Sequence, residues 1–175
     1  ALLEGKHEEA VDIYKELAEK NKGDVFVRRQ LLALQFNDAD ADQLQQWINE
    51  IKETEGDNGW QWKYEQARLW YERDDFQLKQ TQIIELLNDC LTLNPDDQSS
   101  RILLASCYER AGNLQLALSC YRDVLVGKLN NINLIVAAVG TMYRAGEYDQ
   151  AQKLLNDVNQ RGIWDERLSK YELQY

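Results

Sequence analysis

Residues 98–131 read QSSRILLASCYERAGNLQLALSCYRDVLVGKLNN, and their spacing predicts two helices that meet at a tight turn. Arg101, Leu104, Ala105 and Tyr108 recur at i, i+3, i+4 and i+7, which places them on one helical face. Ala111-Gly112-Asn113 interrupts that pattern with residue types that tolerate the left-handed conformation ending a helix. A second stripe follows at Leu114, Ala117, Leu118, Tyr121, Val124 and Leu125. The segment is therefore a helical hairpin with one apolar stripe per arm.

The same spacing returns along the chain. Met142, Gly146, Tyr148, Ala151 and Leu155 stand one period, about 34 residues, after Tyr108, Gly112, Leu114, Ala117 and Tyr121. Upstream, Gly5, Ala10 and Tyr14 fall where Gly112, Ala117 and Tyr121 fall in the central hairpin, which predicts a turn at Glu4–His7. Leu104, Ala105, Tyr108, Gly112, Leu114, Ala117 and Tyr121 together closely resemble the tetratricopeptide repeat, a helix-turn-helix unit of about 34 residues. The aromatic run Trp60-Gln61-Trp62-Lys63-Tyr64-Glu65 also resembles the related half-a-tetratricopeptide repeats of RNA-processing proteins.

On this resemblance the chain divides into a repeat at 1–24 lacking its leading helix, repeats at 25–58, 60–97, 98–131 and 132–165, and a capping helix or further repeat from 166 to 175. The opening within a repeat suggests a fragment of a longer protein. Asp24 is placed to cap the 25–58 repeat, and Asp96 or Asp97 the 98–131 repeat after the helix-ending Asn94-Pro95. The 25–58 repeat departs from the family, with Leu44 at a position that favours a small residue and Ala39 at one that favours glycine, so its helices are expected to splay. The 60–97 repeat carries about four extra residues, Gln77-Leu78-Lys79-Gln80, as an added helical turn or a longer loop. Trp70 is expected in the core, with Trp60 and Trp62 there or at an inter-repeat or oligomer contact.

Composition agrees with an all-α chain. A single proline and nine glycines interrupt 175 residues that are 44% hydrophobic, enough to bury a substantial core. No run approaches the roughly 20 apolar residues that a membrane-spanning helix needs. The net charge of −10 opposes the polyanionic backbone of nucleic acid and anionic membrane surfaces. Cys90, Cys107 and Cys120 lie within helical patterns and read as buried free thiols, favouring a reducing, cytoplasmic compartment.

Catalytic chemistry finds little to work with. His7 is the lone histidine, the cysteines form no CxxC pair, and no phosphate-cradling glycine loop occurs. No cofactor or metal is expected. Glu8-Glu9, Asp74-Asp75 and Asp96-Asp97 fall at turns or helix starts, where carboxylates favour the helix dipole.

The resemblance implies a right-handed superhelical solenoid of antiparallel helix pairs, whose concave groove is lined by each unit's first helix. It also implies a non-catalytic protein-interaction scaffold. The family's groove positions fall on Phe26, Arg29, Ala33, Phe36 and Asn37; on Gln61, Tyr64, Arg68, Tyr71 and Glu72; on Ser99, Ile102, Ser106, Glu109 and Arg110; and on Asn133, Val136, Gly140, Tyr143 and Arg144. Four arginines against two glutamates give these positions two net positive charges on an acidic molecule. A partner peptide with acidic residues or a free carboxylate is expected, held by arginine forks and by stacking on Tyr64, Tyr71 and Tyr143. Ile102, Leu103 and Ser106, then Val136, Ala137 and Gly140, replace the lysine and asparagine of the family's chaperone clamp, which argues against a co-chaperone role. The alternatives are a regulatory or accessory helical domain of a larger enzyme or assembly, and a self-associating spacer.

Overall fold

The computed structural model describes residues 2–73, 76–126 and 131–172, all in helices and short connections. Ala1, 74–75, 127–130 and 173–175 lie outside the described residues, and with them the Asp74-Asp75 pair and Leu173. Backbone contacts group the chain into two compact units, Ala1–Pro95 and Asp96–Tyr175.

The first unit runs α1 (Leu2–Lys20), α2 (Val25–Gln35), α3 (Ala41–Glu55), α4 (Gln61–Glu72) and α5 (Phe76–Leu93), each packed on the next. Asp24 and Asp40 accept the backbone N–H groups of Val27 and Gln43 at 3.1 and 2.8 Å, satisfying donors at the starts of α2 and α3. Trp60 offers α4 no such side-chain cap; Glu55 reaches across instead, accepting from the Trp62 N–H at 2.9 Å. Val11, Ala18, Leu31, Leu32, Leu44, Ile48 and Ile51 form the core between α1, α2 and α3. Ile83, Leu87 and Cys90 turn the inner face of α5 into the buried interior. Each such Leu or Ile, taken from water, contributes about 1.5–3 kcal/mol before entropy is counted.

Two expectations about this unit change. The turn expected at Glu4–His7 is helical, because α1 runs from Leu2 through Gly5 to Lys20. Leu, Glu, Lys and Ala are good helix formers, and one glycine costs only about 1 kcal/mol against them. Gln77–Gln80, for which a helical turn and a loop were both open, belong to α5.

The second unit runs α6 (Gln98–Arg110), α7 (Leu114–Leu125), α8 (Ile132–Arg144), α9 (Tyr148–Gln160) and α10 (Glu166–Glu172). Successive helices pack as pairs through α9, and α10 lies against α8 and α9. Asp97 and Asn131 cap α6 and α8 by accepting from Ser100 N at 2.8 Å and Leu134 N at 3.2 Å. After α6, the Asn113 N–H reaches the Tyr108 carbonyl at 2.8 Å; after α8, the Glu147 N–H reaches that of Met142 at 2.9 Å. These are Schellman turns, and they require the positive φ that Gly112 (79°) and Gly146 (76°) supply. Ala105, Ala117, Ala138 and Ala151 are fully buried, so the small side chains admit close helix approach beside Tyr121, Ile135, Leu155 and Leu168.

Candidate functional site

In the first unit the first-helix positions gather into one charged and aromatic cluster. Arg29 on α2 donates from Nε to Glu65 at 3.0 Å and from Nη1 to Gln61 Oε1 at 2.9 Å, both on α4. Its guanidinium also lies 5.5 and 5.8 Å from the rings of Trp60 and Tyr64. One helical turn further along α4, Arg68 stacks over the Phe36 ring at 3.8 Å and stands 3.5 Å from Glu65. Tyr71 ends the stripe, edge-on to Phe76 at 5.6 Å. The spacing Gln61, Tyr64, Arg68 and Tyr71 keeps one face of α4 toward α2.

Glu65 is the residue that the sequence reading left out. Only 4% of its side chain is exposed, and desolvation pushes its carboxyl above the ordinary glutamate value despite Arg29 and Arg68 beside it. It stands one residue from a groove position and reads locally as an ordinary helix surface residue; only the approach of α2 buries it. Its charge also changes the count. Four arginines against Glu72, Glu109 and Glu65 leave one net positive charge rather than two.

In the second unit the expected positions are drawn into internal contacts. Arg144 and Thr141 both donate to Glu109, which also accepts from Tyr121 Oη at 2.7 Å. The Ser106 hydroxyl donates to the Ile102 carbonyl of its own helix at 3.1 Å. Tyr143 donates to the Tyr171 carbonyl at 2.6 Å, with the two rings 4.7 Å apart, so α10 covers it. A Cβ on Gly140 would meet the Tyr171 hydroxyl at 2.9 Å, and only glycine leaves room for that contact. Arg110 and Asn133 are exposed, at the end of α6 and the start of α8.

Three clefts lie along the second helices. One of about 720 Å³ is bounded by α1 and the end of α2, and contains His7 with its Nε2 3.5 Å from Asp38. A second, about 440 Å³, runs between α3 and α5 over α4, with Trp62 and Trp70 on its floor. The third, about 550 Å³, lies between α7 and α9 over Met142. Trp70, expected in the core, is half-buried at this surface because α3 and α5 leave the outer face of α4 open between them.

Burial pushes the Cys107 thiol up to about 12 and raises that of Cys120, so neither is poised as a thiolate. Among the described residues no three His, Cys, Asp or Glu side chains gather to hold a metal ion. No helix there is long and apolar enough to cross a membrane.

No protein-family model matches the chain, and no curated protein matches it by sequence. Solved structures do. A double mutant of MamA RS-1 aligns with a TM-score of 0.66 at 17% identity, covering 91% of this chain and 86% of its own. MamA from Desulfovibrio magneticus RS-1, from its residue 41 to the end, aligns at 0.65 and 17%, covering 91% and 87%. A further MamA crystal structure reaches 0.63 at 17% identity over 99% of this chain and 90% of that one. The fold is that of the tetratricopeptide repeat. MamA shares it at an identity too low to carry over anything beyond the fold.

Proposed function

We propose that the chain is a non-catalytic protein-interaction module whose first-helix face holds an extended partner segment, with the first unit supplying the main anchor. The observation that carries this reading is the Arg29–Glu65–Arg68 cluster, in which a buried carboxylate and the Phe36 ring fix two guanidinium groups in place. Fixed arginines lose little freedom on binding, and each has five N–H donors, more than the contacts described here consume. An acidic side chain or terminal carboxylate of the partner is held by Arg68, while Tyr64 and Tyr71 supply stacking area beside it. Arg29, Tyr64, Arg68 and Tyr71 form this anchor; Ser106, Arg110, Asn133, Tyr143 and Arg144, on the first helices of the second unit, contribute less, being engaged with Glu109 and α10 where those contacts are described.

The test is a peptide array of acidic and free-carboxylate segments, probed with the wild-type chain and with the Arg68→Glu/Arg110→Glu pair. Loss of binding in the double variant, by about tenfold or more, supports the reading. Equal binding by both proteins contradicts it.

A further inference from the structure

The cleft between α7 and α9 is a separate surface, formed by the second helices of the second unit. Its floor is apolar: Met142 and Leu125 are buried, Leu154 is half-buried, and Val126 stands exposed where α7 ends. Its rim is cationic. Arg122 spans from α7 to the start of α9, donating from Nη2 to Glu147 and, at 2.9 Å, to Gln150 Oε1. Lys153 and Arg161 stand exposed along α9 with no partner among the described residues. The other described cations of this unit are all engaged. Arg101, Arg122, Arg144 and Arg167 answer carboxylates, Lys170 lies over the Tyr171 ring at 4.8 Å, and Arg110 is held as well. The described cations that the second unit leaves unanswered therefore line one apolar cleft. Asp157 lies between them on α9 and pairs with neither among the described residues. With Asp157 counted and Glu147 set against Arg122, the cleft keeps one net positive charge on a molecule of −10.

We propose that this cleft binds an extended segment in which two carboxylates flank a bulky apolar side chain. Lys153 and Arg161, eight residues apart on α9, are separated by about 12 Å along the helix. In an extended chain residues i, i+2 and i+4 point to one face, and the outer two are about 13 Å apart. Carboxylates at the outer positions reach Lys153 and Arg161, while the middle side chain enters the floor at Met142 and Leu154. Methionine, unbranched and polarizable, adapts to the shape of an incoming apolar group. Asp157 sets the selectivity, because a carboxylate at the middle position would meet its like charge. Neither cation has an ion pair to break on binding, and the Arg161 fork can hold a carboxylate through two N–H groups. This surface lies apart from the first-helix face and uses none of its residues.

Met142 is the lone methionine of the chain, so a carbon-13 label on the methionine methyl reports on the floor of this cleft. The test titrates the labelled full chain with a peptide of about nine residues built on Glu-Ser-Leu-Ser-Glu and follows that resonance by NMR. A saturable shift is expected, with binding about tenfold weaker for Lys153→Glu/Arg161→Glu and for the peptide with glutamines in place of its glutamates. Both substituted residues are exposed and without partners among the described residues, so the double variant keeps the fold, which circular dichroism checks. If it does not fold, Lys153→Gln alone decides, with binding about threefold weaker expected. An unmoved methyl resonance, wild-type affinity in the variant, or equal binding of the glutamine peptide overturns the proposal. So does tighter binding of the peptide with glutamate in place of its leucine, or of an alanine-based helical peptide that spaces its glutamates eight residues apart.

Discussion

The turn after α2 in the first unit and the turns after α6 and α8 in the second are closed by different means. In the second unit α6 and α8 close on Gly112 and Gly146, and local backbone bonds satisfy the last carbonyls. In the first unit α2 has no glycine to end on, since Ala39 stands in the turn. The Asp38 and Ala39 N–H groups reach the Gln35 carbonyl at 3.1 and 2.8 Å, and the turn beyond is held from another helix: Arg73, at the end of α4, donates from Nη2 to the Phe36 and Ala39 carbonyls at 2.7 and 2.9 Å. The same contrast runs through the cores. Where the second unit buries Ala117, the first buries Leu44. At the α2–α3 turn a bulky side chain and the Arg73 hydrogen bonds stand where the second unit has a buried alanine and a turn glycine. In the proposed function the Arg29–Glu65–Arg68 network is the first unit's anchor.

Substitutions can break this contrast. The largest effect is expected for Leu44→Ala, which leaves a cavity in the first core and costs about 2–5 kcal/mol by urea unfolding. If the position were as adaptable as an alanine site, the cost would be below about 1 kcal/mol. Next is Arg73→Met, which keeps the aliphatic stem but strands the Phe36 and Ala39 carbonyls in the turn after α2; about 1–3 kcal/mol is expected. A change within about 0.5 kcal/mol would show that water satisfies those carbonyls equally well. Gly112→Ala should cost about 1 kcal/mol, because the backbone is left-handed there while the space around a new Cβ is open.

The smallest effect sharpens the electrostatic half of the comparison. Desolvation raises the Glu65 carboxyl above its unfolded value of 4.5, despite Arg29 and Arg68. A raised acid favours folding while protonated and opposes it increasingly as pH climbs from the unfolded value through the folded one. Glu65→Gln should therefore gain stability relative to wild type as pH rises from the unfolded value of 4.5. The opposite trend, wild type gaining, would mean that the arginine pair outweighs burial.

The fold was legible where local pattern and packing agree. Ala111-Gly112-Asn113 and Ala145-Gly146-Glu147 announce their turns because one glycine settles each of them, and Asp24 and Asp97 announce the caps. Gly5 misled because the signal for a turn there was spacing alone, and helix-forming neighbours carried the helix through it. At the candidate site Arg29 on α2 comes beside Tyr64 on α4, positions that the resemblance to the repeat family, not local spacing, pointed to. Glu65 and Arg73 escaped notice because their partners come from α2, more than thirty residues away. Trp70 misled for a similar reason: whether the outer face of α4 is covered depends on the separation of α3 and α5, which no local pattern encodes. The stripe Trp62, Gln66, Trp70 was present in the sequence as the only hint of that opening.

The most direct test of the account is a binding titration of one acidic peptide, selected on the wild-type chain, against Arg68→Gln and Arg144→Gln in parallel. The first unit's anchor predicts that Arg68→Gln weakens binding about tenfold while Arg144→Gln, already committed to Glu109, changes it by less than about twofold. Equal losses, or a larger loss for Arg144→Gln, would contradict the account.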